Sequence, residues 1–132
     1  SGRAYFREDG YTDSAMRTLA AVLTCLSADD ALLSQRAAPL RRYVRSGEIT
    51  LTTPEPGKAL DRLAEAYRGE ASLTELDGLT LDAFASAGWW FHVRPGRAQP
   101  QLRLNMEAQD TLTLDRALAD VATIVDQVNP GG

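Results

Sequence analysis

Residues Trp89 to Ala108 read WWFHVRPGRAQPQLRLNMEA, and this stretch decides the fold. Trp89, Phe91 and Val93 point one way, and Trp90, His92 and Arg94 point the other. Beyond the turn, Leu102, Leu104 and Met106 alternate with Arg103, Asn105 and Glu107. A period of two over both segments predicts a pair of strands with one packed face and one wet face. Neighbouring Trp89 and Trp90 must therefore face opposite ways. One belongs to the core; the other is half-buried against a neighbouring element or exposed as a stacking platform. The turn carries Arg94 and Arg97, with Arg103 nearby.

Outward from this hairpin the pattern alternates between strands and striped helices. Glu48–Thr53 is a predicted strand with Ile49 and Leu51 on one face. Ser46-Gly47 before it reads as a turn. Pro54, Pro56 and Gly57 open a helix over Lys58–Arg68, striped by Leu60, Leu63, Ala64 and Tyr67, with Gly69 placed to cap it. Ser72–Leu76 and Leu79–Leu81 are short strands joined at Asp77-Gly78. The last helix, about Leu114–Gln127, aligns Leu114, Leu118, Val121, Val125 and Val128; Asn129–Gly132 reads as a frayed end. On the other side, Met16, Leu19, Leu23 and Leu26 predict a helix from Asp13 or Ser14 to Leu26. Ser27 followed by Asp30 resembles a cap for a shorter helix over Asp29–Gln35, broken by Pro39. Leu40–Arg45 reads as a basic helical turn. The expected fold is α+β: a small, mostly antiparallel sheet with two helices packed on one face, preceded by a helical arm. The arm is residues 1–45 and the sheet domain residues 46–132.

Composition narrows the function. A chain of 132 residues suits one compact domain with an appendage. With 44% hydrophobic and 24% charged residues, it has the make-up of a folded globular protein. A net charge of -4 argues against a nucleic-acid partner, because that requires neutralising many phosphates. Single-strand binding through Trp90 and the arginines would be salt-sensitive and fits that charge poorly. No apolar span is long enough for a membrane helix, and no signal-peptide pattern opens the chain, so the expectation is a cytoplasmic protein with no membrane partner. Ser1 stands where a natural start would normally carry Met, which suits a processed chain or a fragment. Cys25 is the single cysteine, so there is no internal disulfide, and its apolar neighbours predict a buried, inert thiol.

The hairpin turn is the place where chemistry is legible. Arginine presents a planar fork that matches two phosphate oxygens and stays charged at any working pH. Pro95 and Pro100 stiffen the loop, and Gly96 allows a tight backbone path whose amides can face an anion. On the residues alone, a two-arginine turn is more often a solvated surface feature than an anion site. His92 has no second histidine to share a metal, and no Asp-x-Asp cluster or catalytic triad order appears. The residues therefore point to no catalytic group and no metal ligand in this chain.

The stretch from Trp89 to Ala108 resembles the segment that closes the C-terminal domain of the alpha-D-phosphohexomutases, the phosphoglucomutase/phosphomannomutase family. That segment is an aromatic strand, then Arg-Pro-Ser-Asn-Thr-Glu-Pro, then a strand ending in glutamate and alanine. Ser46-Gly47-Glu48-Ile49 is similar to the opening of the same domain, and Asp77-Gly78-Leu79 to its Asp-Gly-hydrophobic turn. Ser1-Gly2-Arg3-Ala4-Tyr5-Phe6-Arg7-Glu8 is similar to the end of the third domain, just after the sugar-recognition loop, where the family commonly has His in place of Arg3. The likeness is collinear along the chain.

The resemblance implies a fourth domain with a TBP-like sheet-and-helix fold, preceded by an arm that follows the third domain. Family enzymes interconvert hexose 1-phosphates and hexose 6-phosphates. Their phosphoserine lies in the first domain and their magnesium-binding aspartates in the second. It follows that this chain alone is inactive and carries no cofactor, with magnesium expected in the parent enzyme. Its partners would be a hexose phosphate and the remaining domains. Arg94 matches the family's phosphate-binding arginine, and Pro95 and Pro100 match its prolines. Gly96, Arg97, Ala98 and Gln99 replace Ser, Asn, Thr and Glu. The implied phosphate-binding residues are Arg94, Gly96, Arg97 and Ala98, with Arg103 as an auxiliary. The substituted loop equally suits an inactive interaction or regulatory module that keeps the fold.

Overall fold

A computed structural model describes residues 3–28, 30–96 and 100–128. The chain divides after Arg41 into two compact units. In the first, β1 (Tyr5–Phe6) pairs antiparallel with β2 (Thr12–Asp13), followed by α1 (Ala15–Leu26) and α2 (Leu33–Ala37). The second holds β3 (Val44–Thr52), α3 (Pro56–Ala66), β4 (Ser72–Thr74), β5 (Leu79–Asp82), α4 (Phe84–Ala87), β6 (Trp89–Pro95), β7 (Gln101–Ala108) and α5 (Thr111–Asp126). Its five strands form one sheet in the order β3-β7-β6-β5-β4, antiparallel throughout.

The period-two reading of the hairpin holds at every position. Trp89, Phe91, Val93, Leu102, Leu104 and Met106 are all buried, whereas Trp90, His92, Arg94, Arg103, Asn105 and Glu107 are only partly so. Two helices, α3 and α5, cover the buried face, contributing Ala59 and Leu63 from one and Leu114, Ala117, Val121 and Val125 from the other. Trp89 stacks on Phe91 at 5.5 Å, and the Tyr67 ring meets both edge-on. Burial raises the Tyr67 phenol to about 12, helped by the negative charges of Asp120 and Glu70. The helix α5 starts earlier than its apolar stripe because the Asp110 carboxylate accepts from the Thr113 amide at 2.8 Å.

Four expectations are corrected. Residues Ser46 and Gly47 are not a turn but a β-bulge inside β3, whose register against β7 shifts between Arg45 and Glu48. Leu40–Arg45 is not a helical turn leading into that strand. Val44 and Arg45 already pair with Ala108 and Glu107, and the Arg45 guanidinium bridges the Glu107 carboxylate at 2.9 Å.

The short second helix starts at Leu33 rather than near Asp29, which itself lies outside the described residues. Ser27 closes α1 instead of opening the next helix, since its hydroxyl donates to the Leu23 carbonyl. The Leu32 amide finds its acceptor in the Gln35 side chain. Finally, Cys25 is exposed. No described residue of the first unit is buried, and Met16 on the predicted apolar stripe is 76% exposed. An amphipathic stripe buries its residues only where a second apolar layer lies against it. The expected frayed end, Asn129–Gly132, lies outside the described residues.

Candidate functional site

The wet face of the five-stranded sheet carries the polar constellation. Arg94 near the end of β6 and Arg103 in β7 are direct register partners, and Glu48 of β3 lies one pair further along, opposite Asn105. The Glu48 carboxylate serves both arginines. Its Oε1 accepts from the Arg103 guanidinium, and its Oε2 stands 3.8 Å from Nη2 of Arg94. All three side chains are between one third and two fifths exposed, so the cluster is ordered by its neighbours yet open to solvent.

The bulge puts Glu48 there. In β3, Arg45 lies on the wet face; without an extra residue, Glu48 would follow on the opposite face three positions later. The bulge resets the alternation, so that Glu48 and Thr50 join Arg45 while Ile49 and Leu51 turn to the core. Gly47 takes φ +69°, a left-handed conformation that disfavours any side chain. Ser46 secures the partner strand, its hydroxyl accepting from the Met106 amide at 3.0 Å.

Gly78 backs Arg94. At φ +117° it lets the β4–β5 connection approach β6 so closely that a Cβ there would stand 2.5 Å from the Val93 carbonyl and 2.8 Å from the Arg94 Cβ. Asp77 beside it also has positive φ, at 54°, consistent with the turn read from Asp77-Gly78. Further along the same face His92 is hydrogen-bonded to Thr80 at 2.9 Å, which makes it a cross-strand partner.

Of the residues singled out in the hairpin, the structure brings Arg94 and Arg103 together. Gly96 follows after Pro95, and its amide donates to the Gln101 carbonyl at 2.8 Å, so its hydrogen closes the hairpin. Arg97 and Ala98 lie outside the described residues. Sequence reading missed Glu48 and Gly78 as neighbours of Arg94. A register count from the Leu79–Val93 pair would have placed Gly78 beside Arg94, but Glu48 depends on the bulge. Among the described residues no group of three His, Cys, Asp or Glu is placed to hold a metal ion. No helix of the described residues is long and apolar enough to cross a membrane.

No family model matches the chain. Individual proteins do. A phosphomannomutase of Methanocaldococcus jannaschii is 27% identical over 129 residues, covering 98% of this chain and 28% of that protein. The phosphomannomutase of Salmonella montevideo is 33% identical over 122 residues, covering 89% of this chain and 25% of its own length. Phosphohexose mutases of Xanthomonas campestris pv. campestris are 27% identical over 128 residues. The chain is distantly homologous to phosphomannomutases and phosphohexose mutases. It spans about a quarter of the length of the curated relatives it matches, as one domain of a larger multidomain enzyme would.

Proposed function

We propose that residues 46–132 are the phosphate-binding C-terminal domain of an enzyme resembling the phosphoglucomutases and phosphomannomutases, which interconverts hexose 1-phosphate and hexose 6-phosphate. Residues 1–45 are then the arm that follows its third domain. The observation that carries the reading is Arg94 near the end of β6. It lies on the wet face, backed by Gly78, with Arg103 as its register partner and Glu48 3.8 Å from its guanidinium. The homology to mutases supports a sugar phosphate as the ligand. Arg94 is the residue assigned to clamp the phosphate of the sugar, and Gly96 belongs to the same site; Arg97 and Ala98, outside the described residues, join it by the resemblance alone. Arg103 adds long-range attraction. By the resemblance, the magnesium expected for the parent enzyme belongs to its second domain. On this reading the chain has no mutase activity by itself, and its partners are a hexose phosphate and the other domains.

Titration of the chain with inorganic phosphate, glucose 1-phosphate and mannose 1-phosphate, followed by NMR, tests this. Shifts centred on Arg94 and Gly96, abolished by Arg94→Gln, are expected. The absence of any shift at high millimolar ligand would remove the phosphate-binding role. It would leave the second reading, an inactive interaction module, which the loop sequence Gly96-Arg97-Ala98-Gln99 favours.

A further inference from the structure

The geometry points to Glu48 as a built-in counter-anion of the arginine pair, one that competes with the ligand phosphate and sets how tightly this site binds it. The inference rests on the phosphate-site reading and names the group that regulates the site. Arg94 and Arg103 are direct cross-strand partners, an arrangement of like charges that is unfavourable when nothing lies between them. The carboxylate of Glu48, from β3 on the far side of β7, reaches both. It approaches Arg103 closely and Arg94 only at 3.8 Å, so the two arginines are not equivalent. Arg103 is committed to Glu48, whereas the Arg94 fork keeps donors free for a second anion. Two carboxylate oxygens shared between two guanidinium groups present the same acceptor chemistry as two oxygens of a phosphate. An incoming phosphate meets Arg94 first, and it binds fully only as Glu48 yields its share.

The placement of Glu48 is costly in sequence terms, which is why its position is informative. It needs the bulge, the left-handed Gly47 and the Ser46 hydroxyl on the Met106 amide. A surface glutamate that merely solubilised the sheet would need none of these. The charge balance also has a direct consequence. With Glu48 in place the cluster carries one net positive charge, and without it two.

Phosphate affinity of the whole chain, measured by NMR titration at low and moderate salt, tests the inference. Glu48→Gln keeps the size and removes the charge. It is expected to tighten inorganic phosphate and glucose 1-phosphate by about three- to tenfold at low salt, with the gain shrinking as salt rises. Adding Arg103→Gln to Glu48→Gln should cancel most of that gain, because the freed charge is the one on Arg103. Adding Arg94→Gln should abolish binding in either background. Unchanged or weaker binding in folded Glu48→Gln, with Arg94→Gln still abolishing it, overturns the counter-anion role and leaves the phosphate site standing. Binding that survives Arg94→Gln, or no binding in any variant, overturns the site itself. Far-ultraviolet circular dichroism of each variant shows that the sheet is intact.

Discussion

Arg94 and Arg103 face each other across the β6–β7 ladder as direct register partners, and one carboxylate, that of Glu48, serves both. A like-charge pair on a sheet face is unfavourable without a neighbouring anion. A bulge in a third strand brings that anion to the pair.

The bulge is open to direct test. Ser46→Ala removes the acceptor of the partly buried Met106 amide and should cost about 1–3 kcal/mol, the penalty of an unsatisfied buried donor. Gly47→Val forces a β-branched residue into the left-handed region at a cost of about 1–3 kcal/mol. Urea denaturation of each variant should show a lower midpoint at an unchanged slope.

Gly78→Ala should do more than destabilise. The new methyl group meets the Val93 carbonyl and the Arg94 Cβ well inside contact distance, and the backbone there has positive φ. The β4–β5 connection must move away from Arg94. Besides a lower melting temperature, NMR should show the shift changes concentrated at Val93 and Arg94; changes confined to Asp77 and Leu79 would contradict the close packing.

Phe91→Ala tests the core. Phe91 is fully buried against both Trp89 and Tyr67, and removing a ring of that kind costs about 3–5 kcal/mol. That is a large share of the stability of a domain this size, and loss of the cooperative transition in thermal denaturation is the expected result.

Two titrations have opposite signs. The Tyr67 phenol is pushed up to about 12 from 10.0, so the unfolded chain ionises first as pH rises. The stability tied to its burial is present below pH 10 and is lost between there and about 12. Tyr67→Phe should abolish that alkaline loss, as read by denaturation at a series of pH values. The Asp110 carboxyl, by contrast, is held below its ordinary 3.8 chiefly by the Thr113 amide. Its contribution is present above the ordinary carboxylate value and is lost as pH falls through the depressed one. Asp110→Ala should therefore lower stability at neutral pH and flatten the acid limb of the curve.

The first unit should open far more readily than the sheet. None of its described residues is buried, and local opening follows from sparse apolar burial. Hydrogen exchange should show α1 amides exchanging orders of magnitude faster than those of β6 and β7.

How much of this was legible before folding depends on the range of each interaction. The two faces of the hairpin follow from alternation along ten or so residues, and every inward position of β6 and β7 is buried as that alternation requires. The stripes of α3 and α5 read equally well. The first helix shows the limit of the same reasoning. Its stripe of Met16, Leu19 and Leu23 is helical as expected, yet it stays exposed, and Cys25 with it, because periodicity specifies an apolar face and not what covers it. Ser46-Gly47 shows another limit. Serine followed by glycine is as good a turn signal as a bulge signal, and only pairing with β7 distinguishes the two.

By itself, then, the sequence determined the α+β class, the strands of the sheet, which side of the hairpin is dry, and Arg94 as the guanidinium next to its turn. These are properties of backbone period and side-chain chemistry, carried by neighbouring residues. Only the tertiary structure decided that Glu48 shares its charge between Arg94 and Arg103, that Ser46 and Gly47 reset a strand, and that Gly78 backs the arginine. Each joins residues far apart in the chain, Glu48 and Arg103 by 55 positions. Such contacts are set by strand order and register, which local pattern leaves free and which the packing of the whole sheet selects.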